Sequence, residues 1–104
     1  RIARQGVGCV LEIDEADDAQ IALKLPGRHN RRHAMLALRV AEWAGVAREA
    51  ATNAVKEFGG LPHRLEVVHD AGGVRWVNDS IATIPEAAIT ACAAFETGRV
   101  IQIV

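Results

Sequence analysis

The run Phe58-Gly59-Gly60-Leu61-Pro62 constrains this chain more than any other feature, because no regular element can pass through it. Glycine loses the most backbone freedom in a helix, so a helix that reaches Phe58 stops there. Pro62 then removes a backbone donor and holds Leu61 in an extended or turn conformation. The residues before this break read mainly as helix, and those after it as strand, turn, strand and helix. The break is therefore expected to be a domain boundary, with residues 1–60 on one side and 61–104 on the other.

Upstream, Gly6 to Ile13 is apolar and β-branched and suits a strand. Glu15-Ala16-Asp17-Asp18 is a polar interruption. Ile21, Leu23 and Leu25 then alternate with Ala22 and Lys24, which predicts a second strand with one buried face and a hairpin between the two. Pro26-Gly27 ends it. His29 to Gly45 follows as a helix, with Ala34, Leu38 and Ala41 on one stripe and Leu36, Val40 and Trp43 on the next. A surface so broadly apolar predicts a well-buried helix. Asn30 suits its N-cap and Gly45 its C′ position. Ala47 to Phe58 forms another helix through Ala50, Ala51, Ala54, Val55 and Phe58.

Downstream, Leu65 to His69 reads as a strand, Asp70 to Gly73 as a turn and Val74 to Val77 as the return strand. Thr83-Ile84-Pro85-Glu86 has the spacing of a capping box, with Thr83 as N-cap, and predicts a helix through Phe95. Gly98 turns the chain into a last strand, Arg99 to Val104. Hairpin, helix, strand is the start of an α/β domain rather than a complete one.

Composition excludes several function classes. Half of the 104 residues are hydrophobic and 24% are charged, an ordinary globular balance. A net charge of −1 offers no field for nucleic acid, and the basic cluster of Arg28, Arg31 and Arg32 is short. No apolar run reaches the length of a membrane span, and no signal peptide opens the chain, so no membrane partner is expected. Cys9 and Cys92 have no metal-ligand spacing and read as small apolar residues, which fits a cytoplasmic protein. His29 and His33 stand at i,i+4, but no nearby carboxylate completes a metal site, so no metal ligand is assigned. Both ends read as cuts through a longer protein: the chain opens without Met, and its final strand should lead onward.

Four polar residues stand where strands or turns deliver side chains to a surface. Arg64 follows the Pro turn and is placed either to stack on a base or pair with phosphate, or to bridge to Glu66 or Asp70. Asp79 stands at the carboxyl end of a strand, where open α/β sheets collect ligands; it accepts from ribose hydroxyls or caps the turn at Ser80 or Ile81. Thr83, as an N-cap, stands at a helix start whose free N–H groups favour a carboxylate or phosphate. Asn30 is the fourth. No GxxxxGK[ST], GxSxG or nucleophilic Cys motif is present.

Three segments carry a family resemblance. Leu25-Pro26-Gly27-Arg28-His29-Asn30 resembles the G-x-H-N segment near the end of the central ATPase domain of the Mur ligases. Phe58 to Glu66 is similar to their F-x-G-L-P-H-R-x-E junction. Asn78-Asp79-Ser80-Ile81-Ala82-Thr83 resembles the N-D-S-K-A-T segment that opens their C-terminal domain. Order and separation match the type that adds glutamate to UDP-N-acetylmuramoyl-L-alanine in peptidoglycan synthesis. The resemblance implies an α/β chain that joins the end of the central domain, a hairpin plus two helices, to the start of a Rossmann-like domain.

By the same resemblance, ATP and Mg serve a reaction in which the substrate carboxylate becomes an acyl phosphate that glutamate then attacks. Asn30 and His33 should lie beside the adenine, Arg64 should flank the nucleotide, Asp79 should bind the ribose and Thr83 should face glutamate; no residue is assigned as nucleophile or base. His33 stands where a second Asn is expected and still donates one hydrogen bond. Ile81 replaces the usual Lys, so that polar contact is lost or supplied elsewhere, and the glutamate stereoisomer stays open. The family's phosphate loop, carbamylated lysine and magnesium ligands should lie upstream of residue 1, so these 104 residues are expected not to catalyse ligation alone. The rival readings are a folylpolyglutamate synthase-like ligase, which the G-L-P-H-R run disfavours, and a free-standing nucleotide- or partner-binding module. Unpartnered strand edges add an expectation of homo-oligomers.

Overall fold

The computed structural model describes residues 2–5, 8–11, 21–95 and 98–103. Its elements run β1 (Ile2–Gln5), β2 (Gly8–Leu11), α1 (Arg28–Trp43), α2 (Arg48–Glu57), β3 (Glu66–Ala71), β4 (Val74–Asn78) and α3 (Pro85–Cys92). They divide into two units, one carrying β1, β2, α1 from His29 and α2, the other carrying Lys24–Arg28, β3, β4 and α3. The mixture of helix and antiparallel strand is consistent with the α/β class.

In the first unit the hairpin pairs β1 with β2, Ile2 opposite Leu11 and Gln5 opposite Gly8, and not Gly6–Ile13 with residues 21–25 as the alternation predicts. Residues 12–20, including the polar interruption, lie outside the described residues. Ile21, Leu23 and Leu25 are half-buried and Ala22 and Lys24 exposed, so the alternation of faces is real. Yet 21–25 forms no strand, because the alternation records which face is covered and says nothing of a neighbouring strand to pair with.

Helix α1 keeps only part of its predicted surface buried. Met35 and Leu38, three residues apart, meet Ala51 of α2 in the core, with Ile21, Ala41 and Val55 packed against them. Leu38 is fully buried, which contributes about 1.5–3 kcal/mol. The second stripe, Leu36, Val40 and Trp43, is exposed, so the well-buried helix of the sequence reading is covered on one stripe only. The helix begins at Arg28, which places Asn30 inside the first turn and buried rather than at the N-cap. Its other end is as predicted. Gly45 has φ 86°, its N–H donates to Glu42 O at 3.0 Å, and the Val46 N–H donates to Ala41 O at 2.9 Å. These two bonds make a Schellman motif with Gly45 at C′. Glu42 holds Arg39 at 3.5 Å and also pairs with Arg48 at the start of α2.

In the second unit β3 and β4 form a hairpin in which Ala71 faces Val74 across Gly72 and Gly73. Both glycines have positive φ, 61° and 76°, which a two-residue turn of this twist requires. Asp70 faces Arg75 and accepts from its Nε at 2.9 Å. A bulge falls between Val67 and His69. Helix α3 is shorter than predicted, ending at Cys92 rather than Phe95. The expected capping box does not form. Ile84, not Thr83, is the N-cap, with φ −126° and ψ 149° and no side-chain cap. Pro85 explains the shift, since it takes the first helical position and forces the residue before it to be extended. Residues 99–103 are not a strand, and Val100, Ile101 and Ile103 are exposed. No helix among the described residues is long and apolar enough to cross a membrane.

Candidate functional site

The two motifs of the second unit are joined to each other by hydrogen bonds. Pro62 and His63 form a turn in which the Arg64 N–H donates to Leu61 O at 3.2 Å. His63 and Leu65 both have positive φ, 64° and 45°, a region costly for residues with a side chain. Leu65 is nevertheless buried, and that burial offsets the strain. The kinked backbone turns the His63 and Leu65 peptides toward the end of β4. The Leu65 N–H donates to Asp79 Oδ1 at 3.0 Å, and the Ile81 N–H donates to His63 O at 3.3 Å.

Asn78 and Asp79 end β4. Asn78 Oδ1 accepts from the Ser80 N–H at 3.1 Å, and its Nδ2 lies 2.9 Å from His63 Nδ1. The Asp79 carbonyl accepts from the Ala82 N–H at 2.9 Å, closing a turn. Asp79 therefore does not cap Ser80 or Ile81 with its side chain. Asn78 caps Ser80, and Asp79 reaches Leu65 instead. This leaves the second carboxylate oxygen with lone pairs for another donor. Asp79 is half-buried and Thr83 exposed.

Arg64 is exposed, and its guanidinium makes no ion pair among the described residues. The two carboxylates that would hold it are engaged elsewhere: Glu66 accepts from the His63 N–H at 2.8 Å, and Asp70 pairs with Arg75. The second unit thus gathers Arg64 and Asp79 at one turn, because Asp79 grips the peptide that follows Arg64.

In the first unit Asn30 and His33 stand on α1 three residues apart. Asn30 is buried and His33 exposed. The His29 and His33 rings meet edge to face with centroids 6.0 Å apart. No group of three His, Cys, Asp or Glu side chains gathers as a metal site among the described residues.

Residues His63 and Asn78 belong to the quoted motifs but have no assigned role in the sequence reading. An Asn two residues before Ser80 is an Asx-turn signal that could have marked Asn78. The His63 contact joins residues 15 apart and has no local signature.

No family model matches the chain. Curated relatives do. Over 79 residues, 76% of this chain, it is 44% identical to a UDP-N-acetylmuramoylalanine–D-glutamate ligase of Pasteurella multocida (strain Pm70). Over 61 residues it is 52% identical to the enzyme of the same name from Escherichia coli O6:K15:H31 (strain 536 / UPEC), and 51% identical to that of strain K12. The matched stretch belongs to the Mur ligase family. It spans 18% of the Pasteurella enzyme and 14% of the two Escherichia coli enzymes.

Proposed function

We propose that this chain is part of a cytoplasmic, ATP-dependent ligase of peptidoglycan synthesis that adds D-glutamate to UDP-N-acetylmuramoyl-L-alanine through an acyl phosphate. The observation that carries the reading is the identity to three ligases of that name, 44 to 52%. Their names specify the D isomer, so Ile81 in place of the usual Lys is read as a change of local contact and not of stereochemistry. Residues 1–60 are assigned to the end of the central ATP-binding domain and 61–104 to the start of the glutamate-ligase domain.

The residues present suit a nucleotide unequally. Arg64 offers an exposed guanidinium for base stacking or phosphate pairing. Asp79 is held by Leu65 through one oxygen and keeps acceptor capacity for ribose hydroxyls. His33 is exposed and Asn30 buried, so His33 is the more open of the two to an adenine. Thr83 is exposed and free of a capping role, which leaves its hydroxyl for the glutamate. No magnesium ligand is assigned among the described residues, where no three His, Cys, Asp or Glu side chains gather. No catalytic residue is assigned within these 104 residues. It binds and orients; bound ATP supplies the phosphoryl group that activates the carboxylate.

The assignments separate in a kinetic test on the full-length protein that carries these residues. Arg64→Ala and Asp79→Ala should raise KM for ATP and leave KM for glutamate near its starting value. Thr83→Val should do the reverse. A Thr83→Val variant with altered ATP affinity and unchanged glutamate affinity would overturn the division of roles.

A further inference from the structure

Two consecutive side chains at the end of β4 reach back to the same turn. Asp79 Oδ1 accepts from the Leu65 N–H at 3.0 Å, and Asn78 Nδ2 stands 2.9 Å from His63 Nδ1. The other end of the Asn78 amide decides the chemistry of the second contact. Because Oδ1 accepts from the Ser80 N–H at 3.1 Å, Nδ2 is the atom that faces the ring. An amide nitrogen only donates, so His63 Nδ1 must accept, and the ring proton must sit on Nε2. The His63 carbonyl accepts from the Ile81 N–H at 3.3 Å. Asp79 is therefore flanked by residues 78, 80 and 81, each bound to the turn or to its neighbour. Positive φ at His63 and Leu65 persists where surrounding contacts over-determine the backbone, and this network supplies them.

We propose that Asn78 is a positioning residue: by bridging His63 Nδ1 and the Ser80 N–H, its amide sets the stance of the Asp79 carboxylate for nucleotide binding. The role rests on the ligase reading, in which Asp79 meets the ribose. Asn78 acts through His63 and Ser80 and touches no reacting atom. Removing its amide leaves the Asp79 carboxylate held by the Leu65 N–H while the side-chain link from residue 78 to the turn is lost, so nucleotide affinity falls while the rate at saturation holds.

The test uses the full-length protein with nitrogen-15 histidine. NMR should show His63 unprotonated at Nδ1 and protonated at Nε2, with the signal assigned by its loss in His63→Gln. In Asn78→Leu, Kd for a non-hydrolysable ATP analogue should rise about three- to tenfold, the equivalent of one ordinary hydrogen bond, with kcat within about twofold. Asn78→Asp keeps an acceptor for Ser80 but presents a carboxylate oxygen to the ring, and should move the proton to Nδ1. This variant carries the test if Asn78→Leu does not fold. A proton on Nδ1 in the unsubstituted protein would overturn the proposal. So would an unchanged Kd in folded Asn78→Leu, or a ring that stays protonated only at Nε2 in Asn78→Asp. If the unsubstituted protein binds the analogue but forms no amide, the ligase reading fails, while Kd and tautomer still decide the role of Asn78. If it binds no analogue, the nucleotide role is overturned.

Discussion

The Leu65 N–H donates to the Asp79 carboxylate at 3.0 Å across 14 residues of sequence, binding the turn after Pro62 to the end of β4. The bond gives Asp79 a structural duty beside its proposed part in nucleotide binding. Replacement by Ala leaves a part-buried N–H without its acceptor, at a cost of about 1–3 kcal/mol. Replacement by Asn keeps a carbonyl oxygen and should cost less. Amide exchange at Leu65 should accelerate about tenfold or more in Asp79→Ala and by less in Asp79→Asn. Equal exchange in both variants would show that the carboxylate does not hold this amide.

Two glycines separate backbone strain from steric crowding. Gly45 and Gly60 both have positive φ, 86° and 100°. A Cβ on Gly45 would meet nothing within 4 Å, whereas one on Gly60 would stand 2.8 Å from Leu25 Cδ2. Gly45→Ala should therefore cost about 1 kcal/mol from conformation alone. Gly60→Ala adds a displaced Leu25 side chain and should cost about 1–3 kcal/mol. Thermal unfolding should show the larger loss for Gly60→Ala; the opposite order would contradict the packing of Leu25 on Gly60.

Helix α1 should respond unevenly along its apolar surface. Leu38 is 0% exposed and Trp43 63% exposed. Leu38→Ala should cost about 2–5 kcal/mol through the cavity it leaves. Trp43→Ala should stay within about 1 kcal/mol despite removing the larger side chain. Denaturant midpoints test this, and a greater loss for Trp43→Ala would mean that its stripe is covered in the protein.

Local signals in the sequence carried the hairpin turn and one helix end. The paired glycines at 72 and 73 predicted their turn, and Gly45 its helix end, because both depend on φ at one or two residues. The capping box failed for an equally local reason: Pro85 moved the N-cap one residue along, to Ile84. The failures at 21–25 and 99–103 are of another kind. At 21–25 apolar alternation marks a chain with one covered face, and at 99–103 the signal was apolar character alone, whereas a strand also needs a neighbour to bond. The candidate site was legible as a set of residue types, Arg64 and Asp79 among them. That Asp79 would bond Leu65, and Asn78 would bond His63, was not, since both contacts depend on positive φ at His63 and Leu65, where such values are rare.

The activity of the full-length protein that carries this chain decides the ligase reading. The most direct measurement is phosphate release by the full-length protein with ATP, magnesium and UDP-N-acetylmuramoyl-L-alanine, with D- and L-glutamate supplied separately. Release should depend on all three and on D-glutamate, with a new amide product by mass spectrometry and little turnover of the L isomer. Turnover of L-glutamate in preference to D-glutamate, or no amide from either, would contradict the account.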